Sequence, residues 1–301
     1  DYQARNNNEL VAIFGNFVNR ALVLTKKYYD GVVPACGELS DYDRETIAEL
    51  LGCEPVEVIF TASGTEADNL AVQGLYQASP LKRIVSTPIE HPGILETVKA
   101  LGTQGAQVDL LPIGADGRVS SFELLETPAA VATMMWANNE TGAIQPVEQF
   151  LAAAGETPTH IDAVQVIGHM PVNFHELGVT TLAASAHKFG GPRGVGLLLA
   201  RRSPAPSAVL HGGGQERGIR PGTLDVAGAV ATAAALREAV TEFDSTHARI
   251  SGLRDKLRDG ILDLIDNVMV HTTEPALAGH LHLSFPGAEG DSLIMLFDSM
   301  R

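Results

Sequence analysis

The chain has 301 residues, of which 45% are hydrophobic and 19% charged, and its formal net charge is −15. This size and composition fit one large α/β unit, or one large and one small domain. The acidic balance argues against nucleic acid, and no apolar run reaches the roughly 20 residues that a membrane helix needs. The two cysteines, Cys36 and Cys53, exclude a disulfide framework and lack metal-ligand spacing. We therefore expect a soluble cytoplasmic protein.

The first part of the chain is helical in pattern. Apolar residues at three-to-four spacing predict a helix over residues 8–27. A second helix is predicted to begin at a cap, Ser40 or Asp41, and to run through Leu51 to Gly52.

From Val56 onward, short apolar runs alternate with helical segments. The predicted strands are Val56–Phe60, Arg83–Thr87, Val108–Leu111, Val131–Trp136, His160–Ala163, Leu182–Ser185 and Val195–Ala200. The predicted helices between them are Thr65–Gln77, Pro92–Leu101, Ser120–Glu126 and Val147–Ala154. This alternation predicts a mostly parallel sheet with helices on both faces, and such sheets bind ligands at the carboxyl ends of their strands.

The C-terminal part has a different pattern of predicted helices and strands. Residues 227–264 predict two helices with a break near Ser245. Two antiparallel strands, Val268–His271 and Leu281–Phe285, and a helix over Ser292–Asp298 follow, as in the start of a small α+β domain. The predicted organisation is a helical segment over 1–47, a large ligand-binding domain over 48–245 and a partial small domain over 246–301.

The most informative motif is Ser-Ala-His-Lys-Phe-Gly-Gly at residues 185–191, which follows an apolar run. An ammonium at the end of a buried strand is costly unless it is paired. Lys188 stays uncharged if it forms a Schiff base, which is how enzymes hold pyridoxal phosphate (PLP). The alternative is a lysine that extends from the strand end to solvent.

Two further motifs suit the same cofactor. The turn Thr61–Asn69 presents small and hydroxyl residues at a predicted helix start, which is an anion site, although Ser63 and Glu66 alone also form a capping box. Asp162 ends a predicted strand, where a buried carboxylate needs a cation such as a protonated pyridine nitrogen. A helix N-cap is the alternative for Asp162.

Three other segments carry candidate polar groups. His91 precedes a predicted helix and could stack on a flat cofactor or transfer a proton, although a lone histidine is more often an ordinary surface or core residue. Asn138 and Asn139 are candidate donors to a phenolic oxygen, or else turn formers. The loop 211–223 is rich in glycine and carries Arg217, Arg220 and Thr223, so it is either a phosphate or subunit contact or a flexible connector.

The order of these motifs resembles the cysteine desulfurases, a branch of the class V aminotransferase fold of PLP enzymes. The resemblance runs from about Leu50 to Met300. It rests on Thr61–Asn69, Glu90-His91, Asn138–Gly142, Asp162–Gln165, Ser185–Lys188 and Gly212–Thr223. It implies an α/β large domain of the PLP-dependent transferase type I kind, with a mostly parallel sheet, and a small α+β domain.

The resemblance also implies a role for each candidate residue. Lys188 would bind PLP covalently and move the α-proton of L-cysteine, and Asp162 would pair with the ring nitrogen. The other implied contacts are His91 on the ring, Asn139 and Gln165 at the phenolic oxygen, Gly64, Thr65, Ser185 and His187 at the phosphate, and Thr223 at the phosphate of the partner subunit in a homodimer. The implied reaction yields L-alanine and passes sulfur, through a cysteine persulfide, to an acceptor or iron–sulfur scaffold protein.

Three features depart from the family pattern. The persulfide cysteine and the substrate-binding arginine are expected beyond Arg301, and neither Cys36 nor Cys53 matches that cysteine. The family's opening strand is not found, and Pro221 replaces the usual serine. Residues 1–47 resemble part of the anticodon-binding domain of methionyl-tRNA synthetases, which suggests a chimera; a lineage-specific helical cap is the alternative.

The sequence therefore predicts a PLP-dependent protein of the cysteine desulfurase kind without its own persulfide cysteine. Three alternatives stay open. One is another class V enzyme, either an aminotransferase or a selenocysteine lyase. Another is an inactive module that binds sulfur-transfer partners. The third is a poorly folding fragment, in which the apolar residues Leu293, Met295 and Leu296 lack cover.

Overall fold

The computed structural model describes residues 42–300. The predicted helix over residues 8–27, the candidate caps Ser40 and Asp41, and Cys36 lie outside these residues. The α-helices that it describes are α1 (Tyr42–Leu51), α2 (Gly64–Ala78), α3 (Pro92–Thr103), α4 (Val147–Ala154), α5 (Phe174–Leu177), α6 (Val226–Thr241), α7 (Phe243–Leu264) and α8 (Gly290–Ser299). The strands are β1 (Val58–Thr61), β2 (Arg83–Ser86), β3 (Gln107–Leu110), β4 (Val131–Met135), β5 (Thr159–Asp162), β6 (Thr181–Ser185), β7 (Gly196–Ala200), β8 (Met269–Val270) and β9 (Leu283–Ser284).

The first seven strands form one sheet in the order β1-β7-β6-β5-β4-β2-β3. Neighbours from β3 through β6 pair in parallel, whereas β7 is antiparallel to both β6 and β1. The prediction of a mostly parallel sheet is confirmed. Strands β4 to β7 are buried along their whole length, which explains why they read as continuous apolar runs.

Helices cover both faces of this sheet, and strand β7 shows how the faces alternate. Leu197 and Leu199 pack into a core with residues of α1, α4 and α6. Leu198 and Ala200 point to the other face, where they pack against α2. Because side chains alternate along a strand, one apolar run fills two cores at once.

Two elements differ from their predicted bounds or type. The segment Pro55–Glu57 is a single 3₁₀ turn, so strand β1 begins at Val58 instead of Val56. The predicted helix Ser120–Glu126 is wrong, because only Glu123–Glu126 is helical, and as a 3₁₀ turn. Ser120 directs its amide to the carbonyl of Pro112, which removes it from any helix.

The C-terminal elements follow the predicted order. The predicted break near Ser245 falls at Glu242, and Ser245 donates from its hydroxyl to the Glu242 carbonyl inside the first turn of α7. Strands β8 and β9 pair antiparallel as a two-stranded sheet. No helix found within residues 42–300 is long and apolar enough to span a bilayer.

Candidate active site

A cavity of about 220 Å³ opens at the carboxyl ends of strands β4, β5 and β6, beside the first residues of α2. Its lining consists of Ser63, Gly64, Thr65, Asp68, His91, Met135, Asn139, Asp162, Val164, Gln165, Ser185, His187 and Lys188. Nine of the ten predicted site residues are in this lining. The exception is Thr223, an exposed residue in the loop between β7 and α6.

The start of α2 has the features of an anion site. Ser63 has an extended backbone, and its Oγ accepts a hydrogen bond from the Glu66 amide at 3.1 Å. The amides of Gly64 and Thr65 come before the first intrahelical bonds, and the helix dipole adds positive potential there. Half of the predicted capping box is present, because the Glu66 carboxylate binds the amide of Ala62 instead of that of Ser63.

Gly64 allows this helix start to approach the ends of strands β5 and β6. A Cβ at Gly64 would lie 2.7 Å from Val164 Cγ2 and 3.2 Å from Ser185 Cβ. Ser185 Oγ in turn lies 2.9 Å from Nδ1 of His187. The cup therefore combines free amides, a hydroxyl and an imidazole, which together suit a phosphate group.

Asp162 is a buried carboxyl at the end of β5, and it is 6% exposed. Its Oδ1 accepts the Val164 amide at 2.9 Å, and the residues after it form turns, so the alternative of a helix N-cap is wrong. Burial raises the pKa of Asp162 to about 7, and repulsion by the Asp68 carboxyl adds to the rise. A cation beside Asp162 would relieve this cost of burial.

Two side chains at the rim have their local roles fixed by hydrogen bonds. Nδ1 of His91 accepts the Gly93 amide at 3.0 Å and caps α3, so in the neutral ring the proton is on Nε2. Asn138 is a turn former, because its Oδ1 accepts the amides of Glu140 and Thr141. Asn139 lines the cavity and donates to Oε1 of Glu140.

Lys188 follows strand β6 but does not end it. The strand stops at Ser185, and Lys188 lies on a 3₁₀ turn over Ala186–Phe189 with its side chain exposed at the cavity. The expectation of a lysine at the end of a buried strand is therefore wrong. Its position is nonetheless defined, because its carbonyl accepts Nε2 of His169 at 3.0 Å.

The glycine-rich loop is anchored to the sheet and to α2 by its charged residues. Glu216 accepts the Phe60 amide at 2.8 Å and pairs with Arg44. Arg217 donates to the Ala200 carbonyl at 2.9 Å, and Arg220 pairs with Glu66 at 2.8 Å. These contacts tie the loop to both β1 and β7, so the alternative of a connector without contacts is wrong.

Sequence reasoning missed Asp68, which is 1% exposed and lies at the floor of the cavity. Its Oδ1 lies 3.2 Å from Nε2 of His160, which is fully buried on β5. A signal was available, because Asp68 interrupts the apolar face that Ala67 and Ala71 form on α2. Charged residues are rarely placed on such a face without a partner.

Sequence reasoning also missed the role of Glu90, which links two strands beside the cavity. Its Oε1 accepts the Thr87 hydroxyl at 2.9 Å and the Met135 amide at 3.0 Å, so it joins the ends of β2 and β4. Its Oε2 is buried without a hydrogen-bond partner in the part of the chain that the structure describes. Burial raises the pKa of Glu90 to about 8, and the Asp162 carboxyl contributes to the rise.

The cavity lining contains no cysteine among residues 42–300. Cys53 follows α1 and is half-buried, and its amide binds the Ala48 carbonyl. Burial raises the pKa of the Cys53 thiol to about 12, and the neighbouring Glu57 carboxylate acts in the same direction. This thiol is therefore protonated near neutral pH and lies away from the cavity.

The family model of the class-V aminotransferases matches residues 35–300. An IscS-like cysteine desulfurase of Mycobacterium tuberculosis is 46% identical over 271 residues, which cover 85% of this chain and 69% of that protein. The cysteine desulfurase IscS of Haemophilus influenzae is 38% identical over 268 residues, which cover 86% of this chain and 66% of that protein. The chain thus spans about two thirds of the length of these relatives.

Solved structures give the same assignment. A NifS-like protein superimposes with a TM-score of 0.82 at 37% identity, covering 86% of this chain and 74% of that one. SspA in complex with cysteine superimposes with a TM-score of 0.72 at 28% identity, covering 87% of this chain and 75% of that one. The chain therefore belongs to the class-V aminotransferase family and, within it, to the cysteine desulfurases.

Proposed function

We propose that this chain binds PLP in the cavity and acts on L-cysteine, releasing L-alanine and passing the sulfur to an acceptor thiol. The family supports the choice of cofactor and substrate, since its cysteine desulfurases are PLP-dependent. The cavity supports it independently, because it brings together an anion cup, a buried carboxyl and an amine. The observation that carries the proposal is that Asp162, at the end of β5, and Lys188, on the turn that follows the neighbouring strand β6, line one cavity.

The residues present fit the cofactor. Asp162 is a buried carboxyl with a raised pKa, so a pyridinium nitrogen beside it would relieve the cost of its burial. Gly64, Thr65, Ser185 and His187 would hold the phosphate at the start of α2. His91 would pack against the ring.

Bound there, PLP supplies an electron sink that acidifies the Cα–H bond of an amino acid. Lys188 Nζ would bind the cofactor and then move the Cα proton, while Asp162 keeps the ring nitrogen protonated. Asn139 and Gln165 would donate to the phenolic oxygen and fix the ring plane. The sulfur leaves to a thiol outside the described cavity lining, because Cys53 is away from it and protonated.

A reconstitution experiment tests the Lys188 assignment. The purified chain is incubated with PLP, reduced with borohydride and digested, and the modified peptide is identified by mass spectrometry. We expect the label on Lys188 and a visible absorption band that is absent from Lys188→Ala. Lys99→Ala, which alters an exposed lysine paired with Glu96, is the matched control and should keep both signals. A band of normal strength in Lys188→Ala would overturn the proposal.

The products separate this function from other class V chemistry. With L-cysteine and a reducing thiol, we expect L-alanine and sulfide in equal amounts. A keto acid product would indicate an aminotransferase instead. Neither product, in a chain that has taken up PLP on Lys188, would favour the partner-binding module.

We also propose that Thr223 reaches the phosphate cup of a second copy. The supporting observation is that the loop is fixed next to α2 through Arg220 and Glu66, while Thr223 itself is exposed and outside its own cavity. Sedimentation should show a dimer, and Thr223→Val should weaken PLP binding without changing that mass. A monomer that binds PLP normally would contradict this role.

A further inference from the structure

A chain of buried polar groups lies beneath the cavity and connects α2 to strands β5 and β6. Asp68 Oδ1 lies 3.2 Å from His160 Nε2, and His160 Nδ1 lies 3.0 Å from the hydroxyl of Thr181. Asp68 is 1% exposed, and the other two residues are 0% exposed. Of these three residues only Asp68 lines the cavity, so the chain runs from the cavity floor into the sheet.

The hydrogen-bond pattern places one proton on Nδ1 of His160. The Thr181 hydroxyl donates to the carbonyl of Thr159, so its oxygen accepts from His160, and the imidazole proton is on Nδ1. A neutral imidazole with this proton has a lone pair on Nε2. The contact between His160 and Asp68 is then a hydrogen bond only if Asp68 is a carboxylic acid that donates.

The electrostatics of the site agree with this neutral arrangement. Burial raises the pKa of Asp68 to about 8 and lowers the pKa of His160 to about 4. The charged groups that face this pair are Asp162, on the same strand as His160, and Glu90, before α3. The Asp162 carboxyl opposes the lowering, because a negative charge there attracts a proton to His160.

Besides His91, which also lowers the pKa of Asp162, two groups can supply a cation to the Asp162 carboxylate: an imidazolium at His160, or a ring nitrogen in the cavity. Burial already disfavours the imidazolium at His160, and a donor on Nε2 adds to this effect because the lone pair that would take the proton is occupied. Without that donor, the Nε2 lone pair of His160 would be free to take a proton beside Asp162. The cofactor would then have to displace a proton that His160 already holds.

We propose that Asp68 is a positioning residue of the cofactor site, whose carboxylic acid donates to His160, keeps that imidazole neutral and so reserves the negative charge of Asp162 for the cofactor's ring nitrogen. This inference rests on the proposed PLP function for its last step. Asp68 does not act on the substrate in this scheme. It acts through His160 and Asp162.

The test compares Asp68→Ala with Asp68→Asn. Asparagine is neutral and still donates to Nε2, whereas alanine leaves Nε2 without a donor. We expect Asp68→Ala to weaken PLP binding about tenfold more at about pH 6 than at about pH 8, because loss of the donor to Nε2 raises the pH at which His160 takes up a proton. Asp68→Asn should stay within about twofold of the unaltered chain at both pH values.

A second measurement does not depend on the cofactor. Nitrogen NMR of the PLP-free chain should show His160 neutral, with its proton on Nδ1, from about pH 5 to about pH 8 in the unaltered chain and in Asp68→Asn. In Asp68→Ala the same imidazole should take up a proton at a higher pH than in the unaltered chain. If Asp68→Ala does not fold, the unaltered chain and Asp68→Asn still test the proton positions.

Three results would overturn the proposal. One is an imidazolium at His160 in the unaltered chain near neutral pH. Another is a loss of PLP binding in Asp68→Asn as large as that in Asp68→Ala, which would mean that Asp68 acts as an anion. The third is an equal loss at both pH values in Asp68→Ala, which would indicate a packing role. Failure of the unaltered chain to bind PLP would instead count against the proposed function.

Discussion

The sheet region, which contains β1 to β7 and the helices packed on them, and the C-terminal region, which runs from α7 to α8, differ in how many of their residues are buried. Strands β4 to β7 are buried throughout, and helices pack on both of their faces. In contrast, α7 and α8 contain no buried residue, although α7 has 22 residues. The cavity is built almost entirely on the first region, whose geometry is set by a continuous core.

The two regions meet at the loops that follow β3 and β4. Arg118 donates to the carbonyls of Thr273 at 2.7 Å and Pro275 at 2.6 Å, and the Leu277 amide binds the Gly142 carbonyl at 3.0 Å. The loop after β4 also contains Asn139, which lines the cavity. The residues that line the cavity are thus positioned by the sheet region, whereas the C-terminal region contacts the loop after β4, which carries Asn139.

The largest expected effect on stability comes from truncating a buried side chain in the core of the sheet region. Phe150 on α4 is fully buried and makes an edge contact with Phe122 at 6.4 Å between ring centroids. We expect Phe150→Ala to lower the free energy of unfolding by about 3–5 kcal/mol, because it removes apolar contacts and leaves a cavity. Leu257→Ala on α7, where the side chain is 57% exposed, should cost under about 0.5 kcal/mol. Urea unfolding measures both, and equal losses would contradict the contrast between the regions.

A substitution at the junction should have the next largest effect. Gly142 has a φ of +76°, and a Cβ there would lie 2.4 Å from Cβ of His280. Gly142→Ala should therefore cost about 2 kcal/mol and loosen the C-terminal strand contacts, which faster hydrogen exchange at the Leu277 amide would report. Gly155→Ala is the matched control, since Gly155 also has a positive φ but open space around it, so it should cost about 1 kcal/mol and leave Leu277 protected. Unchanged exchange at Leu277 in Gly142→Ala would show that the regions do not depend on this contact.

The buried carboxyls of the cavity predict an unusual pH dependence for the PLP-free chain. The folded-state pKa values of Asp68 and Glu90 are about 8, and that of Asp162 is about 7. At neutral pH the folded chain holds protons on these groups that the unfolded chain has lost, so stability falls as pH rises. His160 has the opposite effect, but only below about pH 6.5, where the unfolded histidine is charged.

We therefore expect the free energy of unfolding to fall by about 1–2 kcal/mol between about pH 6.5 and about pH 7. All three carboxyls belong to the sheet region, so the effect belongs to that region. Asp68→Asn should make the slope shallower, whereas Asp291→Asn at an exposed position of α8 should leave it unchanged. Stability that rises over this range would mean that the three carboxyls are ionised in the folded chain.

Much of the sheet region was predictable from sequence because its signals are local. Apolar runs that alternate with helical periods located all seven strands, and Val147–Ala154 agrees with α4 at both ends. Nine of ten candidate site residues fall together because parallel strands deliver their carboxyl ends to one edge. The order of the strands themselves, with β7 antiparallel at the β6 edge, carries no such local signal.

What sequence reasoning missed depends on contacts between distant residues. Asp68 and His160 are 92 positions apart, and each alone reads as an ordinary polar residue. Glu90 was part of the Glu90-His91 motif, but its bond to the Met135 amide spans 45 positions. The prediction that Lys188 lies at the end of a buried strand was wrong because the strand stops at Ser185. Lys188 lies on the 3₁₀ turn that follows.

The smallest expected effect on stability lies on α8 of the C-terminal region. Ile294, Met295 and Phe297 are all more than 60% exposed, and the spacing of Ile294 and Phe297 places these two on one face of the helix. Because exposed apolar patches promote association but add little to the core, Ile294→Lys should change the free energy of unfolding by under about 0.5 kcal/mol while it lowers light scattering at high protein concentration. Leu81→Lys, at an isolated apolar position that is 41% exposed, should leave the scattering unchanged. A large loss of stability in Ile294→Lys would mean that this surface is packed in solution, and the contrast between the two regions would then have to be abandoned.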